Sequence, residues 1–229
     1  MKNNLAAVLG TNVSKSLSPL IFNYWFLKYS INGQYKHIEI KKSELNKQIK
    51  KILNQKNICG LNITIPFKEE IISHLDSLDE HAKKIGAVNC VTIKNNKIYG
   101  SNTDWVGYSN ALKEKTNEND RVDKEAIIIG YGGAAKAILY ALLRLKYKKI
   151  HIFNRTLKKL KNLENKKVRA HPISDIKHHI QTSNLIINTT PVNVLENINI
   201  SKILPPNVVV SDVVYKPLET NFLKHFKIV

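Results

Sequence analysis

A glycine-rich turn between a short apolar strand and a helix is the feature that most restricts the fold of this chain. The run Ala126-Ile-Ile-Ile-Gly130-Tyr-Gly132-Gly133-Ala134-Ala135 has the form G-x-G-x-x-A. In such a turn the first glycine allows the bend, the second lets the backbone approach a pyrophosphate, and the small last residue permits close packing. The N-terminus of the following helix presents free N–H groups to the anion. The pattern favours a Rossmann-like dinucleotide site over an ordinary strand-to-helix turn, with backbone contacts from Gly130, Gly132, Gly133 and Ala134.

The end of the next expected strand indicates which dinucleotide binds. An NAD site places Asp or Glu about 20 residues beyond the glycines, where the carboxylate accepts from the ribose 2′-OH. Here Phe153-Asn154-Arg155-Thr156 occupies that place, and Lys158 and Lys159 follow. Arg155 is able to donate two parallel hydrogen bonds to a 2′-phosphate, and Lys159 adds positive charge. We therefore expect NADP, bound by Asn154, Arg155, Thr156 and Lys159, while Thr156 also suits the N-cap of a following helix.

Strands and helices alternate along the chain, which is typical of α/β folds with a parallel sheet covered on both faces. In the first half we expect strands at 5–9, 37–40 and 60–65, a hairpin of 88–93 with 97–99, and helices at 18–29 (amphipathic), 43–53, 67–74 and 78–85. In the second half we expect strands at 126–129, 150–153, 168–170, 184–187 and 208–212, and helices at 105–114, 134–145 and 157–163. The pattern changes near Asn102–Trp105, so we predict two α/β domains, 1–103 and 104–229.

The strong positive charge favours a solvated lysine surface over a nucleic-acid interface. The 229 residues include 36 Lys+Arg and 18 Asp+Glu, a formal net charge of +18. Of the basic residues 32 are Lys, and they are spread from Lys2 to Lys227 with no arginine-rich arm. A nucleic-acid site would need these charges to converge on one face. The charge gives a mild attraction for anionic metabolites, and we expect a small-molecule substrate as partner, with no nucleic acid and no membrane.

Membrane segments and metal or disulfide scaffolds are not expected. No apolar run approaches the roughly 18 residues that span a bilayer, and the N-terminus does not resemble a signal peptide. Cys59 and Cys90 stand alone, without the Cys/His spacing of a zinc module. This cysteine usage fits a reducing compartment, and we predict a cytoplasmic protein with no metal centre.

Four polar motifs in the first half fall at the ends of expected elements. They are Ser14-Lys15-Ser16-Leu17-Ser18-Pro19, Asn62-Ile-Thr64-Ile-Pro-Phe-Lys68, Gly86-Ala-Val-Asn89 and Ser101-Asn-Thr-Asp104. Each alone has an ordinary structural interpretation: Ser18 as a helix N-cap, Lys68 as a surface lysine, and Asp104 as the cap of the next helix. A dinucleotide domain by itself does not identify the substrate, so the substrate has to be inferred from these motifs.

Taken together, the motifs resemble those of the shikimate dehydrogenase family. S-x-S-x-S-P, N-I-T-I-P-F-K, G-A-V-N, N-T-D, G-Y-G-G-A, N-R-T, I-N-T-T-P and D-V-V-Y occur in this order along essentially the whole chain. The resemblance implies a substrate-binding α/β domain followed by a Rossmann-like NADP-binding domain with a parallel sheet. It also implies the reversible reduction of 3-dehydroshikimate to shikimate with NADPH, a step of chorismate and aromatic amino acid biosynthesis.

The resemblance assigns roles to individual residues. Lys68 is expected to donate and accept the proton on the reacting oxygen, and Asp104 to lie beside it. The expected substrate contacts are Ser16 and Ser18 to the carboxylate, and Thr64, Lys68, Asn89, Asp104 and Tyr215 to the rest of the molecule. Further positions expected near the cofactor are Glu80, Thr189 and Val213. No metal and no covalent intermediate is implied.

Two departures from the family leave alternatives open. Val192-Asn193 stands where the family usually has Gly-Met, and the G-x-x-M-L-x-x-Q segment with its following helix has no counterpart before Val229. The sequence is therefore either truncated, or its site is closed differently, for example by a partner chain in a homodimer. The alternative functions are a quinate/shikimate dehydrogenase with relaxed cofactor use and a weakly active binding paralogue.

Overall fold

The structure is a computed structural model that describes residues 4–118, 121–161, 163–200 and 203–227. The chain divides after Thr103 into two compact units. Each unit contains its own hydrophobic core and its own sheet. None of the helices in the described ranges is long and apolar enough to cross a membrane.

The first unit is built on a mixed six-stranded sheet with the order β2-β1-β3-β5-β6-β4. Its strands are β1 (Asn4–Gly10), β2 (Gly33–Glu39), β3 (Ile58–Ile63), β4 (Ser77–Leu78), β5 (Cys90–Lys94) and β6 (Lys97–Ser101). Its helices are α1 (Ser18–Lys28), α2 (Leu45–Leu53) and α3 (Glu80–Ile85). β1 pairs in parallel with β2 and β3, whereas β5 is antiparallel to β3 and β6. The β5–β6 hairpin turns at Asn95 and Asn96, whose φ angles of 52° and 58° suit a two-residue hairpin loop.

Helix α1 differs from the amphipathic helix that the sequence predicts. None of its side chains is buried, and Leu20 and Leu27 are 73% and 83% exposed. Phe22 and Phe26, four positions apart, pack against a buried cluster of the first unit, while the other large apolar side chains of SPLIFNYWFLK lie around the rest of the helix and stay exposed. The N-cap is Leu17 and not Ser18, since Ser18 is already the first helical residue.

The second unit is built on a five-stranded sheet, all parallel, with the order β11-β10-β7-β8-β9. Its strands are β7 (Glu125–Ile129), β8 (Lys149–Asn154), β9 (Val168–Pro172), β10 (Leu185–Asn188) and β11 (Val209–Asp212). Its helices are α4 (Asp104–Lys115), α5 (Gly133–Arg144), α6 (Lys177–Ile180) and α7 (Asn221–Lys227). Successive residues of β7 enter different hydrophobic clusters: Ile128 belongs to the cluster that contains Ile138 of α5, and Ile127 to the cluster that contains Ile180 of α6. The sheet is covered on both faces, as its unbroken apolar strands predict.

Several expected boundaries are wrong, and two short helices were not expected. The expected strand at 60–65 ends at Ile63, and the expected helix at 67–74 is a 3-10 helix over Glu70–His74. The expected helix at 157–163 is a 3-10 helix over Leu157–Leu160, and the side chain of Thr156 makes no capping hydrogen bond. Asn162 lies outside the described residues. Helices α6 and α7 have four and seven residues, too few to give a clear periodic pattern.

Candidate active site

Polar side chains of the first unit gather where two neighbouring parallel strands end. β1 ends at Gly10 and β3 ends at Ile63, so the segments that follow them leave the same edge of the sheet. The backbone N–H of Thr64 donates to the carbonyl of Leu9 at 3.0 Å. A Cβ at Gly10 would lie 2.6 Å from Thr64 Cγ2, so a larger residue there would displace Thr64. The glycine therefore allows the two strand ends to approach closely.

The loop after β1 is held by one carboxylate and presents two adjacent hydroxyls. Glu39 Oε2 accepts hydrogen bonds from the backbone N–H groups of Val13 at 3.0 Å and Ser14 at 3.3 Å. The Ser16 hydroxyl donates to Ser18 Oγ at 3.1 Å, and the N–H of Ser18 donates to Ser16 Oγ at 3.2 Å. The two serines that the resemblance assigns to a carboxylate are thus brought together, both partly buried.

Tyr35 links this serine pair to β3, a role that the sequence did not predict. Its buried phenol donates to Asn62 Oδ1 at 2.6 Å. Burial raises the pKa of Tyr35, as does the nearby Cys90, while a hydrogen bond with the Ser18 side chain lowers it in part. The phenol therefore stays a neutral donor near pH 7. The expected strand at 37–40 left Tyr35 out, but the strand begins at Gly33 and places Tyr35 inward.

Lys68 and Asn89 are placed by backbone contacts around the end of β3. The N–H of Phe67 donates to the carbonyl of Thr64 at 2.9 Å, and the Phe67 ring is fully buried. The carbonyl of Lys68 accepts from the N–H of Val88 at 2.7 Å, and the carbonyl of Asn89 accepts from the N–H of Ile63 at 2.8 Å. Thr64, Lys68 and Asn89 therefore belong to one end of the first unit. Lys68 is partly buried, as is Asp104, the first residue of α4 in the second unit.

The glycine turn of the second unit has the geometry that an anion site needs. Gly130 has φ +96°, and a Cβ there would lie 2.6 Å from Thr189 Oγ1. At Gly132 a Cβ would meet nothing within 4 Å, so the backbone at the start of α5 is open to an incoming group. The Thr189 hydroxyl donates to the carbonyl of Ile129 at 2.6 Å, which fixes Thr189 against the turn. These residues fit the pyrophosphate of a dinucleotide.

The carboxyl end of β8 carries exposed basic and polar groups. Arg155, Thr156 and Lys159 are exposed, and the Asn154 side-chain amide donates to the carbonyl of Thr156 at 3.0 Å. From Phe153 to Lys161 the chain contains no Asp or Glu. An arginine without a competing carboxylate fits a ribose 2′-phosphate better than a free 2′-OH.

Asp212 fixes the segment that contains Val213 and Tyr215, and the sequence did not single it out. Its Oδ1 accepts from the side-chain amide of Asn188 at 3.2 Å and from the N–H of Val214 at 3.0 Å. Its Oδ2 accepts from the Thr220 hydroxyl at 2.6 Å. A cavity of about 650 Å³ opens beside these residues. Tyr215 is 55% exposed.

Glu80 lies on α3 of the first unit and makes surface contacts. Its carboxylate is 3.4 Å from Lys84 Nζ and 3.6 Å from His81 Nε2, and its side chain is 71% exposed. Such exposed pairs contribute little to stability. Its expected place near the cofactor stays a prediction.

The second unit belongs to the class of Rossmann-like dinucleotide-binding domains, because its glycine turn follows the central strand of a parallel sheet. The model of a family described as "Shikimate dehydrogenase substrate binding domain" matches residues 8–91. The model described as "Shikimate / quinate 5-dehydrogenase" matches residues 111–212. The chain belongs to the shikimate dehydrogenase family.

Individual relatives match along nearly the whole chain. A curated protein of Pelagibacter ubique (strain HTCC1062) named "Shikimate dehydrogenase (NADP(+))" is 41% identical over 226 residues, which cover 96% of this chain and 82% of that relative. The crystal structure of shikimate dehydrogenase from Aquifex aeolicus has 35% sequence identity and a TM-score of 0.85, covering 98% of this chain and 83% of that one. A shikimate 5-dehydrogenase from Thermus thermophilus, solved in complex with NADP(H) and shikimate, has 29% identity and a TM-score of 0.81, covering 98% and 84%.

Proposed function

We propose that this chain catalyses the reversible, NADP-linked reduction of 3-dehydroshikimate to shikimate. The observation that carries the proposal is the 41% identity, over 96% of the chain, to a relative named for this activity. Both units match models of the same family, and each contains polar groups of the kind that its part of the reaction needs. In a cell the reaction serves chorismate and aromatic amino acid biosynthesis.

The first unit binds the substrate in this proposal. The hydroxyls of Ser16 and Ser18, whose Oγ atoms lie 3.1 Å apart at one strand end, turn from each other to donate to the substrate carboxylate. Tyr35 supports this pair, because its phenol donates to Asn62 and lies next to Ser18. The remaining contacts to the hydroxyls of the ring come from Thr64, Lys68, Asn89, Asp104 and Tyr215.

In this proposal Lys68 transfers the proton to and from the reacting oxygen. Its ammonium donates a proton to the ketone oxygen of 3-dehydroshikimate and takes the proton back from the shikimate hydroxyl in the reverse direction. A positive charge at this oxygen stabilises negative charge that develops mainly in the transition state. Asp104 orients the ammonium and accepts a hydrogen bond from a neighbouring substrate hydroxyl.

The second unit holds the cofactor. NADPH, when bound, supplies the hydride. The backbone of Gly130, Gly132, Gly133 and Ala134 receives the pyrophosphate at the N-terminus of α5, where Gly132 leaves open space. Arg155 and Lys159 bind the 2′-phosphate with Asn154 and Thr156 beside them, and Thr189, Val213 and Glu80 are the further cofactor contacts.

A spectrophotometric assay tests this function directly. Purified protein is mixed with shikimate and NADP⁺, and the nicotinamide absorbance is followed. We expect oxidation of shikimate with NADP⁺, and lower kcat/KM with NAD⁺ or with quinate. Absence of turnover with shikimate, despite measurable binding of shikimate and NADP⁺, would favour the binding paralogue. Equal kcat/KM for quinate and for both cofactors would favour the quinate/shikimate alternative, which the NADP-named relatives do not favour.

The cellular location and the oligomeric state also belong to the proposal. Both cysteines are unpaired, which supports a reducing cytoplasm, and cell fractionation tests this location. The exposed apolar side chains of α1 support association of two copies. Sedimentation velocity at several concentrations distinguishes a monomer from a homodimer.

A further inference from the structure

Three histidines from three different elements of the second unit meet on one face of its sheet. His151 lies in β8, His171 in β9 and His179 in α6. One ring nitrogen from each lies within 4.8 Å of the other two. None of the three is among the residues proposed to bind shikimate or NADP. The sequence did not predict this cluster, because the histidines lie 20 and 8 positions apart and show no recognisable metal-ligand spacing.

The local fold explains why the three rings converge. His151 and Phe153 point to the same face of β8, and Phe153 stands opposite His171 in the β8–β9 register. The Phe153 ring stacks on His171 at a centroid distance of 4.9 Å. The buried side chains of Ile176 and Ile180 anchor the segment around α6 to this face, and His179 lies between them. Ring centroids of His179 are 4.5 Å from His151 and 4.3 Å from His171.

The nitrogen positions reach those of a tetrahedral ion once side-chain rotations bring the N···N distances, which are all within 4.8 Å, to the tetrahedral spacing. Zinc–nitrogen bonds of about 2.0–2.1 Å in a tetrahedron place the ligand nitrogens roughly 3.3 Å apart. His151 Nδ1 and His171 Nε2 are 2.9 Å apart, so this pair needs only a slight opening. His171 and His179 are partly exposed, which leaves their rings free to turn and gives an ion a path from solvent.

The second nitrogen of His151 is a further sign of a metal ligand. His151 is 4% exposed, and its Nε2 is buried without a hydrogen bond among the described residues. The nearest carboxylate oxygen, Glu125 Oε2, is 3.4 Å away. A metal-bound histidine usually donates its other N–H to a carboxylate, which fixes the ring and strengthens the ligand. Glu125 is placed to accept that hydrogen bond when Nδ1 of His151 holds the ion.

We propose that His151, His171 and His179 form a binding site for Zn²⁺ or a zinc-like divalent transition metal, with Glu125 as the hydrogen-bond partner of His151. Imidazole nitrogens select ions of this class over Mg²⁺ and Ca²⁺, which prefer oxygen ligands. Three histidines leave the fourth tetrahedral position to a water molecule. The ion joins β8, β9 and α6, so its binding stabilises this side of the second unit.

Burial lowers the pKa of each histidine, and the pKa of His151 falls to about 4 because His179 and His171 also lie beside it, against the opposing effect of Glu125. Without an ion, the 2.9 Å contact between His151 and His171 is an ordinary hydrogen bond, and this is the competing interpretation.

Metal titration of a tag-free protein tests the site. The protein is treated with EDTA, dialysed, and titrated with ZnCl₂ by calorimetry and with CoCl₂ by visible absorption. We expect one equivalent of Zn²⁺ per chain, and the strong d–d absorption of tetrahedral Co²⁺. At a Zn²⁺ concentration 100 times the Kd, the midpoint of thermal unfolding is expected to rise by roughly 5–11 °C.

His178 supplies the matched control, because it is exposed and adjacent to His179 on the same helix. His179→Ala is expected to weaken Zn²⁺ binding by more than about 100-fold and Glu125→Gln by about 10-fold, with His178→Ala unchanged. His171→Asn replaces His179→Ala if circular dichroism shows that the latter does not fold. Absence of stoichiometric binding, wild-type affinity in the folded cluster variant, or equal weakening by His178→Ala would each overturn the proposal.

Discussion

Asn89 holds Thr103 through both ends of its side-chain amide. Asn89 Oδ1 accepts from the backbone N–H of Thr103 at 2.8 Å, and Asn89 Nδ2 donates to Thr103 Oγ1 at 3.0 Å. Thr103 directly precedes Asp104 and the start of α4. The side chain expected to bind a substrate hydroxyl therefore also fixes the residue before the expected catalytic carboxylate.

Thr103→Val removes the hydroxyl contact and retains the backbone contact. We expect kcat to fall about three- to tenfold, since one hydrogen bond of roughly 1 kcal/mol no longer holds the segment before Asp104. Thr103→Ser keeps the hydroxyl and is expected to retain wild-type kcat. Steady-state kinetics on both variants check this, and identical kcat values for Val and Ser would show that the contact does not matter.

Gly130 and Gly132 give a matched pair that separates folding from cofactor binding. Gly130→Ala places a Cβ at φ +96° against Thr189, so we expect the free energy of unfolding to fall by about 2 kcal/mol. Gly132→Ala places a Cβ in open space, so the fold is expected to keep its stability while NADP⁺ binding weakens. Urea unfolding and cofactor titration measure both quantities. Unchanged NADP⁺ affinity in Gly132→Ala would remove this backbone from the cofactor site.

Arg155→Ala tests the choice between NADP and NAD. A charge-assisted hydrogen bond contributes roughly 1.5–3 kcal/mol, so we expect the Kd for NADP⁺ to rise about 10- to 100-fold while that for NAD⁺ changes little. Because Arg155 is exposed, stability should be unaffected. Lys166→Ala removes the same charge from another exposed position of this unit and serves as the control. Equal weakening for both cofactors would contradict contact with the 2′-phosphate.

The local motifs predicted the second unit better than the first. The apolar run of β7, the glycine turn and the helix after it follow from residues adjacent in sequence, and the structure places all three as expected. Contacts between distant segments had no such signal. Tyr35 reaches Asn62 across 27 positions and Asp212 reaches Asn188 across 24, so only the pairing of strands brings them together.

Burial was the other quantity that the sequence did not predict. The apolar residues of α1 suggested a core-facing helix, yet Leu20 and Leu27 are exposed, since apolar composition alone does not specify what covers a helix. The histidine cluster of the second unit shows the opposite error. No sequence pattern indicated that a polar ring would be buried, although β8 buries His151 almost completely.

The turnover of Lys68→Ala decides whether the Lys68 ammonium transfers the proton. General acid–base catalysis contributes typically 10²–10⁴-fold, so we expect kcat for shikimate oxidation to fall by about that factor. Shikimate and NADP⁺ should still bind, and Lys83→Ala, which removes an exposed lysine from α3, should keep wild-type kcat. A folded Lys68→Ala protein that oxidises shikimate at the wild-type rate would show that Lys68 does not transfer the proton.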